Sequence, residues 1–326
     1  MRFRILYHDN CFDGLASAAL FGRFYRESVA PEADVEYVGV THKPRIGVDP
    51  AVILDADGAE NAIVDFKYSP SPHVTWWFDH HESAFLTSED EAHFRADGSG
   101  RKFYDPASKS CTIFIAEVLD EKFGFRRPEL DDLVHWANVI DGALYPDAKT
   151  AVELESPALK LMQLIEMARE PGLIQRLIVD MQTKSLASIV ASDYVASQLE
   201  PVLDRHWRSV DIIRDRGEYR ENVLFFDVVE FDIEGYNKFI PYYLYPDCRY
   251  NVSVLVTPQR SKISVGFNPW SPLPREHNIA KICERYGGGG HPVVGAISLR
   301  PDELEDARRI ARDIADELRR PGPERE

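Results

Sequence analysis

The sequence predicts an α/β protein with an N-terminal parallel-sheet domain, a helical connector and a smaller C-terminal α/β domain. Three observations lead to this fold class. The first third of the chain alternates strand-like and helix-like patterns, residues 108–205 are almost wholly helical in pattern, and strand patterns return near Ser209. Alternation of strands and helices is typical of a parallel sheet covered by helices.

Short apolar runs define the N-terminal elements. Strand-like runs occupy 2–7, 35–40, 62–66 and 74–78, and helical spacing of apolar residues occupies 14–26. The segment 83–105 is polar and contains Asp97-Gly98-Ser99-Gly100. We therefore expect a loop or excursion there.

Helical patterns fill the middle of the chain, and prolines mark several of their starts. They cover 110–123, 128–140, 157–169 and 171–205. After them, strand patterns cover 210–213, 223–229, 250–256 and 262–267, and helical patterns cover 277–286 and 301–319. We predict domains at 1–185 and 209–320, a helical linker at 186–208, and a disordered tail at 321–326.

The composition limits the classes of function. The chain has 326 residues, of which 44% are hydrophobic, and a formal net charge of −16. This charge argues against a protein that coats long nucleic acid through a basic face, but it leaves room for a small anionic ligand. No apolar run is long enough to cross a bilayer and the N-terminus does not resemble a signal peptide, so we expect a cytoplasmic protein with no membrane partner. The four cysteines form no C-x-x-C pair, which disfavours a zinc knuckle or a disulfide framework.

Four groups of ionisable side chains stand where predicted strands or helices end. They are His8 with Asp13 in HDNCFDG, Asp65 after AIV, Asp79-His80-His81 after VTWWF, and Asp141 at the end of a helix. Each alone has an ordinary explanation: a strand-end Asp is often a cap, an Asp before Gly often belongs to a helix C-terminal turn, and a single His is often a satisfied, partly buried side chain. Their coincidence favours a common site, because parallel strands deliver their carboxyl ends to one crevice.

The residue types in these groups indicate a metal centre. Aspartate oxygens together with imidazole nitrogens are the ligands expected for Mn²⁺ or a similar divalent ion. Neighbouring side chains of an extended backbone point to opposite sides. We therefore expect one of His80 and His81 to ligate metal and the other to meet a substrate phosphate or a second ion.

These motifs resemble those of the DHH phosphoesterase superfamily, in the branch that carries a DHHA1 domain. This branch includes RecJ exonucleases, nanoRNA and pAp phosphatases and cyclic-di-AMP phosphodiesterases. The first family motif, a His followed by D-x-D-G, is matched by HDNCFDG, and the third, which names the family, by Asp79-His80-His81. Asp65 and Asp141 match the second and fourth motifs, and GGGGHPVVGA at 287–296 matches the glycine-rich end of a DHHA1 domain. The matches span almost the whole chain in the family's order.

The resemblance implies which residues form the centre. The implied metal ligands are His8, Asp13, Asp65, His80 and Asp141, holding one or two ions, with Mn²⁺ expected and other divalent ions left open. Asp65 is the implied bridging carboxylate, His81 completes the site or contacts phosphate, and Asp79 orients a histidine. Asp65, His80 and His81 are accordingly the expected catalytic residues. Two cations roughly 3.5–4 Å apart neutralise a phosphodiester, activate water and stabilise the leaving oxygen, so no nucleophilic Ser or Cys is needed.

The chain departs from the family pattern in its first motif. Cys11 stands where many relatives have the first Asp of D-x-D. A thiol at this position either ligates a softer ion or packs, and we favour packing. The number of ions held is open for this reason.

The glycine run near the C-terminus has two interpretations. A tetraglycine is usually a flexible linker, but this one follows the helical pattern NIAKICERY and ends at His291. Consecutive glycines let backbone N–H groups approach phosphate oxygens without Cβ obstruction. With the family context we expect substrate to be bound by Gly288, Gly289, Gly290, His291 and Asn268, the last of which stands where relatives often carry an Arg.

The function expected from the sequence is metal-dependent hydrolysis of short nucleotidyl phosphoesters in a cleft between two domains. Short oligonucleotides, pAp-like nucleotides and linear dinucleotides are the expected substrates, and long duplex DNA is not. The alternatives are a RecJ-like single-strand exonuclease and a catalytically degenerate nucleotide sensor. The sequence leaves open the exact substrate, exo- or endonucleolytic action, cyclic or linear preference, and whether the chain forms a homodimer.

Overall fold

The computed structural model describes residues 1–41, 46–56 and 58–322. They form two compact units, one made of Met1–Tyr145 and Glu155–Val202 and the other of Pro146–Leu154 and the chain from Leu203 onward. The short segment Pro146–Leu154 thus belongs to the second unit, although it interrupts the first in sequence. Of the predicted disordered tail, residues 323–326 lie outside the described residues.

The first unit contains a parallel sheet of five strands, as the sequence predicts. Its strands are β1 (Arg2–His8), β2 (Asp34–Val40), β3 (Glu60–Val64), β4 (Val74–Asp79) and β5 (Lys102–Tyr104). They lie in the order β2-β1-β3-β4-β5, and every pairing is parallel. The strand order reverses between β1 and β3, and in such sheets ligands bind beyond the carboxyl ends of the strands at this switch point.

Helices occur in both units and fill the middle of the chain. They are α1 (Phe12–Phe24), α2 (Ser88–Arg95), α3 (Cys111–Phe123), α4 (Asp131–Asp141), α5 (Ala148–Glu153), α6 (Pro157–Met167), α7 (Pro171–Met181), α8 (Leu186–Val190), α9 (Asp193–Arg216), α10 (Ile240–Leu244), α11 (Ile279–Glu284) and α12 (Leu304–Arg319). Among the described helices, none is long and apolar enough to traverse a lipid bilayer.

Local sequence fixes several helix ends. Ser110 precedes α3 and its Oγ accepts a hydrogen bond from the Ile113 backbone N–H at 3.2 Å, while Gly124 ends the same helix with a φ of 63°. Such a serine cap satisfies one of the four N–H groups that a helix leaves unpaired. A glycine in the left-handed conformation is a common helix terminator.

Three sequence predictions about loops, helices and strands differ from the structure. The segment 83–105 is not a plain loop, because it contains α2 and β5. Thr87 caps α2 through a 3.1 Å bond from the Asp90 N–H, and Phe94 packs on Trp77 with ring centroids 5.1 Å apart. A helix anchored by so few apolar residues produces no periodic pattern.

The predicted helix at 171–205 and the predicted strand at 210–213 are also corrected. The first is divided into α7, α8 and the start of α9, with Ser185 capping α8. The second lies inside α9, where Val210 and Ile213 are fully buried. Their spacing of three residues fits the buried face of a helix as well as a short strand, so a four-residue apolar run does not distinguish the two.

The second unit is built on a mixed sheet. Its strands are β6 (Glu218–Arg220), β7 (Val223–Asp227), β8 (Tyr250–Val256), β9 (Ser261–Phe267), β10 (Gly289–His291) and β11 (Val294–Leu299). They lie in the order β10-β11-β9-β8-β7-β6, with β7 and β8 parallel. Ala307, Ala311, Ile314 and Leu318 of α12 face this sheet at helical spacing and are buried in its core.

Candidate metal centre

The five predicted ligands converge at the carboxyl end of the parallel sheet. His8 ends β1, Asp65 follows β3 and His80 follows β4, while Asp13 lies in the first turn of α1 and Asp141 ends α4. Three of these positions are strand ends next to the switch point of the sheet. The fold therefore gathers side chains that are far apart in sequence.

Asp65 occupies the middle of this cluster and is 1% exposed. One carboxylate oxygen, Oδ2, lies 3.3 Å from Nδ1 of His8. The other, Oδ1, lies 3.5 Å from Nε2 of His80 and 3.8 Å from Nδ1 of His81. Asp65 therefore faces three imidazoles at once, as a bridging carboxylate does.

His80 connects Asp65 to the two remaining carboxylates. Its Nε2 lies 3.4 Å from Oδ2 of Asp141 and 3.9 Å from Oδ2 of Asp13. Ligand atoms about 2.1 Å from one divalent ion lie about 3–4.2 Å from each other. The spacing within this cluster thus suits a common ion.

The described residues contain two groups of three potential ligands that share Asp65. One group is His8, Asp65 and His81, and the other is Asp13, Asp65 and His80. Within each group the ligand atoms lie within 4.8 Å of one another. The geometry hence accommodates two neighbouring ions with Asp65 between them.

The backbone around the centre adopts uncommon conformations. Asp65 has a φ of +55°, and Asn10 and Ala143, in the turns after His8 and Asp141, have φ values of +54° and +50°. Such left-handed residues cost free energy and concentrate at functional sites. Here they turn the chain sharply after three elements that carry ligands.

Gly14 allows α1 to start close to the end of β1. A Cβ atom at this position would lie 2.1 Å from the backbone oxygen of His8. Any larger residue would push the first turn of α1, which carries Asp13, away from His8. The D-G pair of the first motif is thus explained by close packing of two ligand-bearing segments.

Asp13 also holds the start of α3. Its Oδ2 accepts a 2.6 Å hydrogen bond from the N–H of Cys111, and its Oδ1 accepts a 3.0 Å bond from the N–H of Thr112. Negative charge is favoured at a helix N-terminus. This carboxylate is therefore fixed in place by α3 while Oδ2 still faces His80.

The two adjacent histidines are oriented by different partners. Nδ1 of His80 donates to the backbone oxygen of Ser108 at 3.1 Å, which leaves Nε2 facing the carboxylates. Nδ1 of His81 donates to Oδ1 of Asp79 at 2.7 Å, which fixes the orientation of its ring. Asp79 is fully buried, and fixing the orientation of a ligand from behind is the role predicted for it.

The expectation that His80 and His81 point to opposite sides is wrong. Their ring centroids are 4.5 Å apart and both rings approach Asp65. Oδ1 of Asp79 accepts the backbone N–H groups of both histidines, at 2.8 and 3.3 Å. This turn ends the extended backbone of β4 at Asp79, so the alternation rule for strands no longer applies.

Sequence reasoning misses Ser108. The run Ser108-Lys109-Ser110 opens a helix, which is compatible with anion binding or with an ordinary cap and does not by itself indicate a site residue; in the structure Ser110 is a cap. The carbonyl oxygen of Ser108 nevertheless orients His80. Since any residue supplies a carbonyl, no side-chain pattern could have revealed this role.

The cluster carries shifted pKa values that reflect burial and mutual charge. Burial opposes ionisation of Asp65, but the nearby imidazoles of His8 and His80 and the charge of His81 lower its pKa to about 2. Burial and the charges of Asp65 and Asp141 raise the pKa of Asp13 well above its usual value. Burial and Asp65 likewise raise the pKa of Asp141. Three buried carboxylates so close together cannot all stay ionised unless a cation compensates their negative charge.

His80 supplies part of the missing positive charge. Burial alone would lower its pKa, but the nearby carboxylates of Asp65 and Asp13 and the hydrogen bond to the Ser108 carbonyl raise the pKa of His80 to about 10. A divalent ion can take the place of the imidazolium proton.

Unsatisfied atoms give an independent test of a metal in this place. Three buried atoms have no hydrogen-bond partner within the described residues. They are Oδ1 and Oδ2 of Asp65 and Nε2 of His80. Buried polar atoms nearly always have partners. The oxygen and nitrogen donors fit a hard-to-borderline divalent ion, so the residues present match the metal that the fold implies.

Cys11 lies beside the centre at the residue that precedes α1. Burial and the negative charges of Asp65, Asp13 and Asp141 raise the pKa of its thiol well above the usual value. Its side chain makes no capping hydrogen bond to the helix. A neutral thiol ligates weakly, which agrees with a packing role.

The glycine run adopts a defined structure in the second unit. Gly289–His291 form β10, which pairs with β11 in antiparallel register. A Cβ at Gly288 would lie 2.3 Å from the backbone oxygen of Ala296, whereas a Cβ at Gly289 would meet nothing within 4 Å. Gly288 is therefore explained by packing on β11, while the open side of Gly289 and the exposed His291 leave room for substrate.

Asn268 does not fit its predicted role in substrate binding. It is 1% exposed, and its Nδ2 donates to the backbone oxygens of Pro246 and Cys248 at 3.1 and 2.8 Å. Its Oδ1 accepts the N–H of Trp270 at 3.0 Å. The amide is thus engaged by the backbone, which argues against a substrate contact.

Comparison with known proteins places this fold among DHH-domain structures. The chain is similar to the pGpG-specific phosphodiesterase PggH from Vibrio cholerae, with a TM-score of 0.69 and 19% identity over 97% of this chain and 98% of that one. It is also similar to a DHH-domain protein described as a member of the s1p family of ribosomal proteins, with a TM-score of 0.58 and 14% identity over 99% and 88% of the two chains.

RecJ from Thermus thermophilus in complex with Mn²⁺ is a further structural relative. It gives a TM-score of 0.51 at 13% identity, over 98% of this chain but 53% of RecJ. The same protein in complex with Mg²⁺ gives a TM-score of 0.53. No protein-family model matches the sequence, and no curated protein matches it. The DHH resemblance of the sequence is therefore confirmed at the level of the fold.

Proposed function

We propose that this chain, whose fold is that of DHH-domain phosphodiesterases and exonucleases, hydrolyses phosphoester bonds in short nucleotidyl substrates with the help of divalent metal ions. The observation that carries this proposal is the pair of three-ligand groups that share Asp65. Carboxylates and imidazoles in this arrangement suit the two-ion chemistry of phosphodiester hydrolysis.

The bound ions would neutralise the phosphate oxygens and lower the pKa of water. The chain's own residues prepare the place for this chemistry. Ser108 and Asp79 fix the ring orientations of His80 and His81, and α3 fixes the carboxylate of Asp13. The buried Asp65, with its pKa of about 2, keeps its negative charge across the physiological pH range.

Mn²⁺ is the ion we propose for this centre. The donor set mixes carboxylate oxygen with imidazole nitrogen, which Mn²⁺ accepts more readily than Mg²⁺ does. A RecJ relative was solved with Mn²⁺ and also with Mg²⁺. Anomalous scattering from crystals soaked in Mn²⁺ would count the ions and identify their ligands, and density away from Asp65 would contradict the assignment.

The proposed substrates are short nucleotides, and linear dinucleotides come first among them. PggH, which shares the fold over nearly the full length of both chains, is a pGpG-specific phosphodiesterase. The net charge of −16 disfavours extended contact with a long polyanion. Turnover of pGpG, pApA, pAp and short RNA with Mn²⁺, measured on the wild type and on Asp65→Asn, tests the proposal. Absence of Asp65-dependent turnover on every one of them would refute it.

A single-strand exonuclease is the second candidate, because RecJ shares the fold. A series of single strands, from dinucleotides to strands about ten times longer, separates the candidates. A short-nucleotide enzyme loses efficiency as the strand lengthens, whereas an exonuclease that tracks a strand gains it. Tight nucleotide binding by a metal-loaded protein without turnover would instead identify a sensor.

A further inference from the structure

A pocket of about 540 Å³ lies in the first unit beside the metal centre. Tyr7, Asp9 and Asn10 form part of its wall. The residues immediately before and after the predicted ligand His8 therefore line the pocket. Its volume falls within the range of about 300–1,000 Å³ that is usual for small-molecule sites. The pocket is thus large enough for a nucleoside.

A second part of the pocket lining is connected to the centre through Tyr145. Glu166 lines the pocket at the end of α6. The carboxylates of Glu166 and of the ligand Asp141 both act on Tyr145, where burial first and then these two charges raise the pKa of the phenol. One tyrosine therefore lies near both the pocket wall and a metal ligand.

The charges around the pocket do not suit a phosphate. Asp9, Glu166 and Glu170 line it together with Arg169, which is the one cation among its described lining residues. Carboxylates accept hydrogen bonds and repel anions. A neutral group that offers several N–H or O–H donors fits this lining better.

Arg169 is held in position and keeps donors available. Its Nη1 donates to the backbone oxygen of Ala168 at 2.9 Å. It also donates to the backbone oxygen of Glu166 and to Oδ1 of Asn10, at 3.3 Å each. Within the described residues its Nε and Nη2 make no hydrogen bond or ion pair. The guanidinium is thus tied to the turn after His8 and can still bind acceptors in the pocket.

We propose that this pocket binds the nucleoside of one nucleotide of the substrate, with a preference for guanine, while the phosphate lies at the metal centre. Guanine offers the acceptors O6 and N7, to which arginine binds in a bidentate manner, and the donors N1–H and N2–H₂, which carboxylates accept. Adenine and cytosine each carry only an amino group as donor on the corresponding edge. The inference rests on the proposed function, because it assigns the phosphate to the centre.

The test compares bases on the holoenzyme with Mn²⁺. The ratio of kcat/KM for pGpG to that for pCpC is measured for the wild type, Arg169→Met and Glu166→Gln. We expect the wild type to favour pGpG and the ratio to fall by about 5- to 150-fold in Arg169→Met, the equivalent of one bidentate contact. Arg95→Met is the matched control, because within the described part of the chain this exposed arginine pairs only with Glu91 of α2, and it should leave rates and ratio unchanged.

Binding of GMP and CMP to the same variants gives a second measurement that needs no turnover. The two ligands share their phosphate, so the difference in Kd reports the base alone. Equal Kd values in the wild type, or a ratio that Arg169→Met leaves intact while both affinities fall together, would overturn the pocket assignment. If no substrate is hydrolysed, the proposed function fails, and the GMP/CMP difference still decides the pocket.

Discussion

At the scale of single residues, Asp65 is the position on which the centre depends. Its carboxylate lies between His8 and His80, and its backbone is held at a φ of +55°. Asparagine is isosteric with aspartate and tolerates the same left-handed conformation. Asp65→Asn therefore removes the charge without disturbing the turn.

We expect Asp65→Asn to bind Mn²⁺ weakly and to lose at least about 10³-fold in kcat, since the metal contribution to such reactions amounts to several kcal/mol. Calorimetric Mn²⁺ titration and turnover of pGpG measure both effects. Asp120→Asn, on the exposed side of α3, is the control and should behave as the wild type. Normal turnover by Asp65→Asn would exclude Asp65 as a metal ligand.

The five residues predicted as ligands could be chosen from the sequence because each lies at or near the end of a strand or helix and within a recognisable motif. It could not give the direction in which His80 and His81 point. That direction depends on Oδ1 of Asp79, which gathers two backbone N–H groups and ends the strand. It also depends on the Ser108 carbonyl, an atom that every residue carries.

At the scale of elements, the two glycines at the start of β10, Gly288 just before it and Gly289 as its first residue, allow a role in packing to be distinguished from a role in binding. Gly288→Ala would place a Cβ 2.3 Å from the Ala296 oxygen, so we expect a loss of about 1–3 kcal/mol in unfolding free energy. Gly289→Ala meets no neighbouring atom, and its stability should change by less than about 0.5 kcal/mol.

If the run binds substrate, Gly289→Ala raises KM for pGpG about tenfold, the equivalent of about 1.4 kcal/mol. The measurements are thermal unfolding and steady-state kinetics on both variants. An unchanged KM in a stable Gly289→Ala protein would restrict the run to a structural role.

The segment that carries α5 is tied to the second unit by buried hydrogen bonds. Nε2 of His206 donates to the Val152 oxygen at 2.8 Å, and Nδ2 of Asn237 donates to the Ala151 oxygen at 2.7 Å. Burial lowers the pKa of His206 more than this hydrogen bond raises it. The native state thus prefers neutral His206.

From this shift we expect a contribution to stability that is complete above the unfolded-state pKa of about 6.5 and is lost as the pH falls below it. Below this pH the unfolded chain protonates His206, whereas in the folded chain the lower pKa of His206 disfavours its protonation. Thermal unfolding followed from mildly alkaline to mildly acidic pH should therefore show a smaller loss for His206→Gln than for the wild type. His135→Gln, at an exposed site on α4, should follow the wild type. If the Tm of the wild type and that of His206→Gln fell equally with pH, His206 would not contribute to this pH dependence.

Elements with strong periodicity were predictable, and short ones were not. β1 and α12 follow from alternating or helical apolar spacing over many residues. The association of α5 with the second unit rests on hydrogen bonds to Ala151 and Val152 backbone oxygens. Backbone partners so distant in sequence leave no local pattern.

At the scale of the whole molecule, metal binding should stabilise the fold. A ligand present at 100 times its Kd adds about 2.7 kcal/mol, and for a unit of this size each kcal/mol raises Tm by about 2–4 °C. We expect Mn²⁺ to raise the Tm of the chelator-treated wild type by about 5–10 °C in calorimetry. Asp65→Asn should show little of this increase, and an equal increase in both proteins would point to ions bound elsewhere.

The carboxylate of Asp13 has two sets of partners, the first turn of α3 and the cluster around His80. A cation drawn to Oδ2 competes for the electron pair that the Cys111 amide now uses. The amide protons of Cys111 and Thr112 should then exchange with heavy water at different rates in loaded and chelated protein, while those in the middle of α3 keep their rates. Two NMR peaks would thus report occupancy of the centre before any substrate is known.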